Sequence, residues 1–209
     1  MKRRLYFIAG FSLSELLVSI GLVFLLFSIL MPVLKSVRET SRKIQCMNNL
    51  KQIGAALHQY ANDNDDWIVP YIGISGDKTT YWNFLLEPYL GKNQEIFHCP
   101  ASRLQWPPPS WYWNACYYVE YGYNRFGLSN TLMSGTYWKK FSNISDHASK
   151  MVVSDRDEDS TGSSFSPYIT KTGSYHIEFR HHNGALVLFL DGHTSFCVPN
   201  DIQDVWWGW

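Results

Sequence analysis

The sequence predicts an α+β protein in which a long N-terminal helix packs on a small antiparallel β-sheet head. Three observations predict it: an apolar run from Phe11 to Leu34, an amphipathic continuation that ends near Asn62, and two turn signals, Asn183-Gly184 and Asp191-Gly192, that bracket a short apolar strand. The order along the chain is then a leader over residues 1–10, a membrane-spanning helix over 11–34, an amphipathic helix over 35–62 and a β-rich head over 63–209.

The first helix is read from length and composition. Lys2, Arg3 and Arg4 precede the apolar run, within which Glu15 is the only ionisable side chain. At about 1.5 Å per residue the run spans roughly 36 Å, enough to cross a hydrocarbon core of about 30 Å with some tilt. A cleaved secretory signal fits poorly, because such signals have a shorter apolar core that ends at a small-x-small site, whereas this run ends Met31-Pro32-Val33-Leu34. An ordinary anchor leaves Glu15 unexplained, since an intramembrane carboxylate costs about 2.5–3.5 kcal/mol on insertion scales. That charge calls for a partner, and cutting after Gly10 would free an α-amine on Phe11 able to neutralise Glu15 of a neighbouring subunit.

The run Gly10-Phe11-Ser12-Leu13-Ser14-Glu15 before an apolar helix resembles the type IV pilins and type II secretion pseudopilins. The resemblance implies cleavage after Gly10 and N-methylation of Phe11 by prepilin peptidase, with an assembly role for Glu15. It implies other pilin-like subunits and an assembly platform as partners. It also implies a single-pass protein of the bacterial inner membrane with its head in the periplasm or outside the cell. Pro32 fits the proline that such helices often carry, a residue able to kink the helix. The leader departs from the family pattern in its apolar Leu5–Ala9 stretch, and Ser14 and Ser19 stand where aliphatics are usual.

Past Pro32, the apolar positions Val33, Val37, Ile44, Met47, Leu50, Ile53, Leu57 and Tyr60 recur at threes and fours, so this helix has an apolar face to cover, most simply with its own head. Asn62 to Asp66 terminate it. Cys46-Met47-Asn48-Asn49-Leu50-Lys51-Gln52-Ile53-Gly54 resembles the CxNNLKQIG stretch of a large bacterial group of prepilin-like proteins. The group's further marks follow in order: Tyr89-Leu90-Gly91, Phe97-His98-Cys99-Pro100, Tyr121-Gly122-Tyr123-Asn124, and His181 with Asp191-Gly192, the terminal H-x9-DG signature.

In the head, the segments 175–182 and 185–190 read as strands flanking an Asn183-Gly184 turn, with His182 facing Ala185, His181 facing Leu186 and Ile177 facing Leu190. Leu186, Leu188 and Leu190 then share a face with Ile177 and Phe179, the face covered by the helix. Asp191-Gly192 forms a second turn before a strand over 194–198. This register sets His181 and Asp191 about 16 Å apart at about 3.3 Å per residue, too far to share a metal ion. His181 reads as a satisfied residue at the edge of the core and Asp191 as a turn residue.

Lys plus Arg and Asp plus Glu are balanced at 18 each, so no charge field points to nucleic acid. The four cysteines, Cys46, Cys99, Cys116 and Cys197, lack CxxC spacing. Disulfides are chemically open to them outside the cytoplasm, with Cys46 and Cys99 the candidate pair and free buried thiols the alternative. Met151-Val152-Val153 reads as a strand running into Asp155, Asp157 and Asp159. Their spacing resembles the start of a calcium loop, but Ser160 and Ser166 occupy the positions where such a loop carries Gly and Glu. A solvated acidic loop competes with calcium, and no other cofactor is expected. Trp106, Trp111, Trp113 and neighbouring tyrosines between 105 and 138, with Trp206, Trp207 and Trp209, offer either head packing or a sugar-binding or protein-binding surface. A membrane-anchored binding module is therefore the alternative to an assembly subunit. No GxSxG, Walker or HExxH motif occurs, and an enzyme is not expected.

Overall fold

The computed structural model describes residues 12–75, 78–102, 119–124, 139–156, 168–169 and 177–202. The chain divides into two units, Met1–Thr40 and Ser41–Trp209. Helix α1, Leu13–Asp63, runs continuously through Pro32. It begins on a reciprocal cap: the Ser12 hydroxyl accepts from Glu15 N–H at 3.3 Å, and the Glu15 carboxylate accepts from Ser12 N–H at 2.9 Å and from the Ser12 hydroxyl at 2.7 Å. This S-x-x-E capping box satisfies amide groups that the first turn leaves without helical partners.

From Leu13 to Leu34 every residue is exposed, and this part of α1 is long and apolar enough to cross a membrane. In the second unit the buried stripe of α1 is Cys46, Leu50, Ile53, Gly54, Ala56, Leu57 and Ala61, with Met47 and Tyr60 partly buried beside it. Burial therefore starts at Cys46. Val33, Val37 and Ile44, which continue the same apolar spacing, are exposed, because periodicity reports which face is apolar and not where a surface exists to cover it. The helix ends as the sequence predicts, with Asp65 and Asp66 at positive φ and Asp66 N–H donating to Ala61 O at 2.9 Å.

A two-stranded hairpin, β1 (Ile72–Ser75) with β2 (Lys78–Tyr81), leads into the short helix α2, Trp82–Leu86, and two 3-10 turns, Glu87–Leu90 and Gln94–Phe97. The main sheet contains β3 (Tyr121–Asn124), β4 (Met151–Asp155), β5 (Tyr168–Ile169), β6 (Ala185–Phe189) and β7 (Thr194–Cys197), in the order β5-β3-β4-β6-β7. All pairs are antiparallel except β3 with β5, a two-residue parallel edge. The architecture is α+β, a helix on a small, mainly antiparallel sheet.

Strand β6 is buried on both faces. Leu186, Leu188 and Leu190 join the α1 stripe in one apolar cluster, whereas Ala185, Val187 and Phe189 join Met151, Ile169, Ile177 and Cys197 in another. The helix-facing leucines are those the sequence predicts, but Ile177 and Phe179 belong to the opposite face.

That inversion follows from the partner: Ile177 bridges to Arg156, two residues beyond Ser154, which pairs with Val187, so Ile177 falls on the Val187 face. Residues 182 and 183, both at positive φ, form the tip, and His181 pairs with Gly184 through N–H to O bonds of 2.9 and 3.0 Å. The turn lies one residue earlier than the expected Asn183-Gly184, and where a strand over 175–182 is expected the described residues 177–182 carry isolated bridges at Ile177 and His181. Gly184 is needed for a different reason: a Cβ there would lie 2.1 Å from Cζ of Phe196, so the glycine admits the β7 ring. Strand β6 pairs with β4 and β7, and Ile177 bridges to Arg156 instead of Leu190. The second turn lies where expected. Phe189 N–H donates to His193 O at 2.9 Å, enclosing residues 190–192 with Gly192 at φ 88, a three-residue hairpin loop with its left-handed glycine.

Candidate functional site

Four separate segments deliver polar groups to one place under the α1 stripe. Cys46 stands at the start of that stripe and is wholly buried. Cys99 follows the Gln94–Phe97 turn, which Asn93 caps by accepting from Glu95 N–H at 3.1 Å and which Phe97 anchors edge-on against Trp82 at 5.4 Å. Cys99 N–H donates to the Glu120 carboxylate at 2.7 Å, which fixes the orientation of its side chain. Cys46 and Cys99 form a disulfide with Cα atoms 5.2 Å apart, within the range that bridging requires. The Tyr121 hydroxyl donates to Cys46 O at 3.4 Å.

The turn after His181 brings its imidazole to this bridge. Nε2 lies 3.5 Å from Cys99 Sγ and 3.6 Å from Asp155 Oδ2. One ligand atom each from Cys46, Cys99 and His181 lies within 4.8 Å of the others. Asp155 closes β4, is wholly buried, and accepts from Leu186 N–H at 2.7 Å through Oδ2. Its Oδ1 has no hydrogen-bond partner among the described residues. A second buried carboxylate, Glu120, lies 2.8 Å from His98 Nδ1 and 3.7 Å from Arg180, which also pairs with Glu178. Burial, reinforced by the Asp155 charge, pushes the Tyr121 phenol well above its usual range, so it is a neutral donor at any physiological pH.

These segments are the ones that carry the sequence signatures. Cys46 opens CxNNLKQIG, Cys99 belongs to F-x-CP, Tyr121 to YGYN and His181 to H-x9-DG. The remaining motif residues have structural tasks nearby: Asn49 Nδ2 donates to His98 O at 2.9 Å, Leu50 and Ile53 are core, and a Cβ on Gly54 would meet Leu188 Cδ1 at 2.9 Å. Residues 35–94 match the family described as Protein of unknown function (DUF1559). The matched segment covers less than a third of the chain and contains Cys46, Asn49 and Gly54, but stops short of Cys99. No curated protein and no solved structure matches the chain.

The two ends of H-x9-DG do different work. His181 enters the buried cluster, whereas Asp191 and His193 are exposed, with Asp191 Oδ1 accepting from His193 N–H at 3.0 Å and pairing with its Nδ1 at 2.6 Å. Partial burial opposes ionisation of Asp191, yet these His193 contacts hold its carboxyl below the usual range, which is the turn role expected of it. Gly192 supplies the left-handed position of that loop.

Asp155, the first of the three aspartates in the calcium-like spacing, is turned into the interior towards His181 and Leu186 N–H. Asp157, Asp159, Gly10, Phe11, Cys116, the segments 103–118 and 125–138, and the terminal tryptophans lie outside the described residues. The two β3 tyrosines are core residues, Tyr123 stacking on Trp82 at 5.4 Å and donating to Val69 O at 2.6 Å. Cys197 is a buried free thiol in the other apolar cluster, pushed above its usual range by burial. Sequence reading misses Glu120 and Arg180, which stand in no motif, and it meets His98 only as the variable position of the F-x-CP piece.

Proposed function

We propose that this chain is a prepilin-like structural subunit, cut after Gly10 and N-methylated on Phe11 by prepilin peptidase, whose α1 helix assembles with other pilin-like subunits. The product is a type IV pilus or a type II secretion pseudopilus at the bacterial inner membrane, with the head periplasmic or extracellular and no catalytic role. The observation that carries this reading is the wholly exposed apolar stretch Leu13–Leu34 with a carboxylate in its first turn. Such a surface calls for lipid or other apolar helices, and Glu15 calls for a cation. The DUF1559 match over residues 35–94 is consistent with a pilin-like surface protein.

The Ser12 cap bears on how Glu15 would act. A cut after Gly10 leaves the Phe11–Ser12 amide intact, so the mature subunit keeps the Ser12 N–H that Glu15 accepts. During assembly Glu15 would exchange that donor for the free amine of a neighbouring Phe11. Mass spectrometry of the N-terminus from native membranes tests the processing, with methylated Phe11 expected and an intact Met1 refuting it. Two variants separate capping from assembly. Glu15→Ala abolishes incorporation into filaments on this reading, while Ser12→Ala weakens the cap, keeps the carboxylate and still assembles. Equal failure of both would assign Glu15 to the cap alone.

A further inference from the structure

We propose that Cys46, Cys99, His181 and Asp155 form a binding site for a thiophilic divalent cation of the zinc class, available when the Cys46–Cys99 bond is reduced. Two thiolates, an imidazole nitrogen and a carboxylate oxygen are a donor set that zinc takes in closed four-coordinate sites. With zinc–sulfur bonds of about 2.3 Å and zinc–nitrogen or zinc–oxygen bonds of about 2.0–2.2 Å, a tetrahedron has a sulfur-to-nitrogen edge of roughly 3.6 Å and a nitrogen-to-oxygen edge of roughly 3.4 Å. The corresponding separations are 3.5 Å from Cys99 Sγ to His181 Nε2 and 3.6 Å from His181 Nε2 to Asp155 Oδ2. The ligand atoms of Cys46, Cys99 and His181 lie within 4.8 Å of one another; once their bond is broken the two sulfurs must part to roughly 3.8 Å, and the Asp155 carboxylate, which reaches this group through His181, must close on them.

A second, independent observation points to a cation. Asp155 is wholly buried and its Oδ1 has no hydrogen-bond partner among the described residues, although buried polar atoms in native proteins are nearly always satisfied. Leu186 N–H holds Oδ2 at 2.7 Å, the kind of outer contact that orients a ligating carboxylate. The four groups come from α1, the segment after Gln94–Phe97, the end of β4 and the turn before β6. A bound ion would therefore tie together the same two elements as the disulfide, and two more.

The two states exclude each other. A dithiol reductant gives two electrons and two protons to the Cys46–Cys99 bond and closes its own sulfurs into a disulfide, leaving Cys46 and Cys99 as thiols. Cation binding then releases both thiol protons to solvent as the two sulfur–metal bonds form. In the oxidised chain neither sulfur is a thiolate, and thiolate is the ligating form.

The test uses the full chain in detergent, reduced with a phosphine under argon and titrated with cobalt(II). The expected result is one equivalent bound per chain, with a thiolate-to-cobalt charge-transfer absorption that zinc abolishes and that the oxidised chain does not show. His181→Ala weakens binding by roughly tenfold or more, while Cys197→Ala and His193→Ala leave it unchanged. Alkylation of the reduced wild-type chain, mapped by mass spectrometry, needs no variant: zinc protects Cys46 and Cys99. The proposal is overturned if the reduced chain takes up no cobalt, if oxidised and reduced chains bind it equally, if Cys197 or His193 proves necessary, or if zinc leaves Cys46 and Cys99 as reactive as before.

Discussion

Replacing both Cys46 and Cys99 by alanine removes the one disulfide found among the described residues, which closes a loop with a sequence separation of 53 residues. In the loop-closure account, a crosslink of that span lowers the entropy of the unfolded chain by an amount worth about 4 kcal/mol at 25 °C. The double variant therefore loses about 4 kcal/mol, and with a urea dependence of about 2 kcal/mol per molar its midpoint falls by about 2 M. Both chains are unfolded in detergent with a chelator present, so that no metal substitutes for the bridge, and followed by near-ultraviolet circular dichroism. Trp82, fully buried between Phe97 and Tyr123, gives the head a packing-dependent signal. A loss below about 1 kcal/mol at unchanged denaturant dependence would refute the reasoning, because the bridge would then not be restricting the unfolded ensemble.

Gly184→Ala places a methyl 2.1 Å from the Phe196 ring and 3.0 Å from Cys197 O; overpacking of this kind costs about 1–3 kcal/mol, read as a lowered urea midpoint. The Ser142 hydroxyl and N–H hold the Asp66 carboxyl below its usual range, the N–H at 2.9 Å. A depressed carboxyl stabilises the fold above its unfolded value and loses that contribution as pH falls through the folded one. Wild type should therefore lose stability more steeply than Asp66→Asn on acidification below about pH 4, and parallel acid-unfolding curves would count against it.

Local signals carried much of the fold. The composition of Leu13–Leu34, the aspartates after Asn62, the strand at Met151–Val153 and the Asp191-Gly192 loop each depend on neighbours a few residues away, and each is found where the sequence predicts it. The misses depend on distant partners. The turn falls at His182-Asn183 and not at Asn183-Gly184, which leaves Gly184 against a β7 ring that a Cβ there would meet, and the pairing of β6 with β4 joins segments that local periodicity cannot relate. The same limit hid the cluster. Absence of CxxC spacing speaks only to sites built within one loop, whereas Cys46, Cys99, Asp155 and His181 are brought together by a helix, a turn, a strand end and a hairpin. The capping box is a local signature, Ser12-Leu13-Ser14-Glu15, in which the carboxylate answers backbone hydrogen bonding as well as charge.

The position of the Cys46–Cys99 bridge on α1 has a mechanical consequence. Tension applied at the N-terminal end of α1 travels along the helix and meets Cys46 before it reaches Leu50, Ile53 and Leu57. At Cys46 it can pass through a covalent bond into the segment that leads to β3, so the apolar contacts farther along the helix do not bear the pull alone. Cutting the bridge turns that junction into one held by packing, which yields by peeling, one side chain after another.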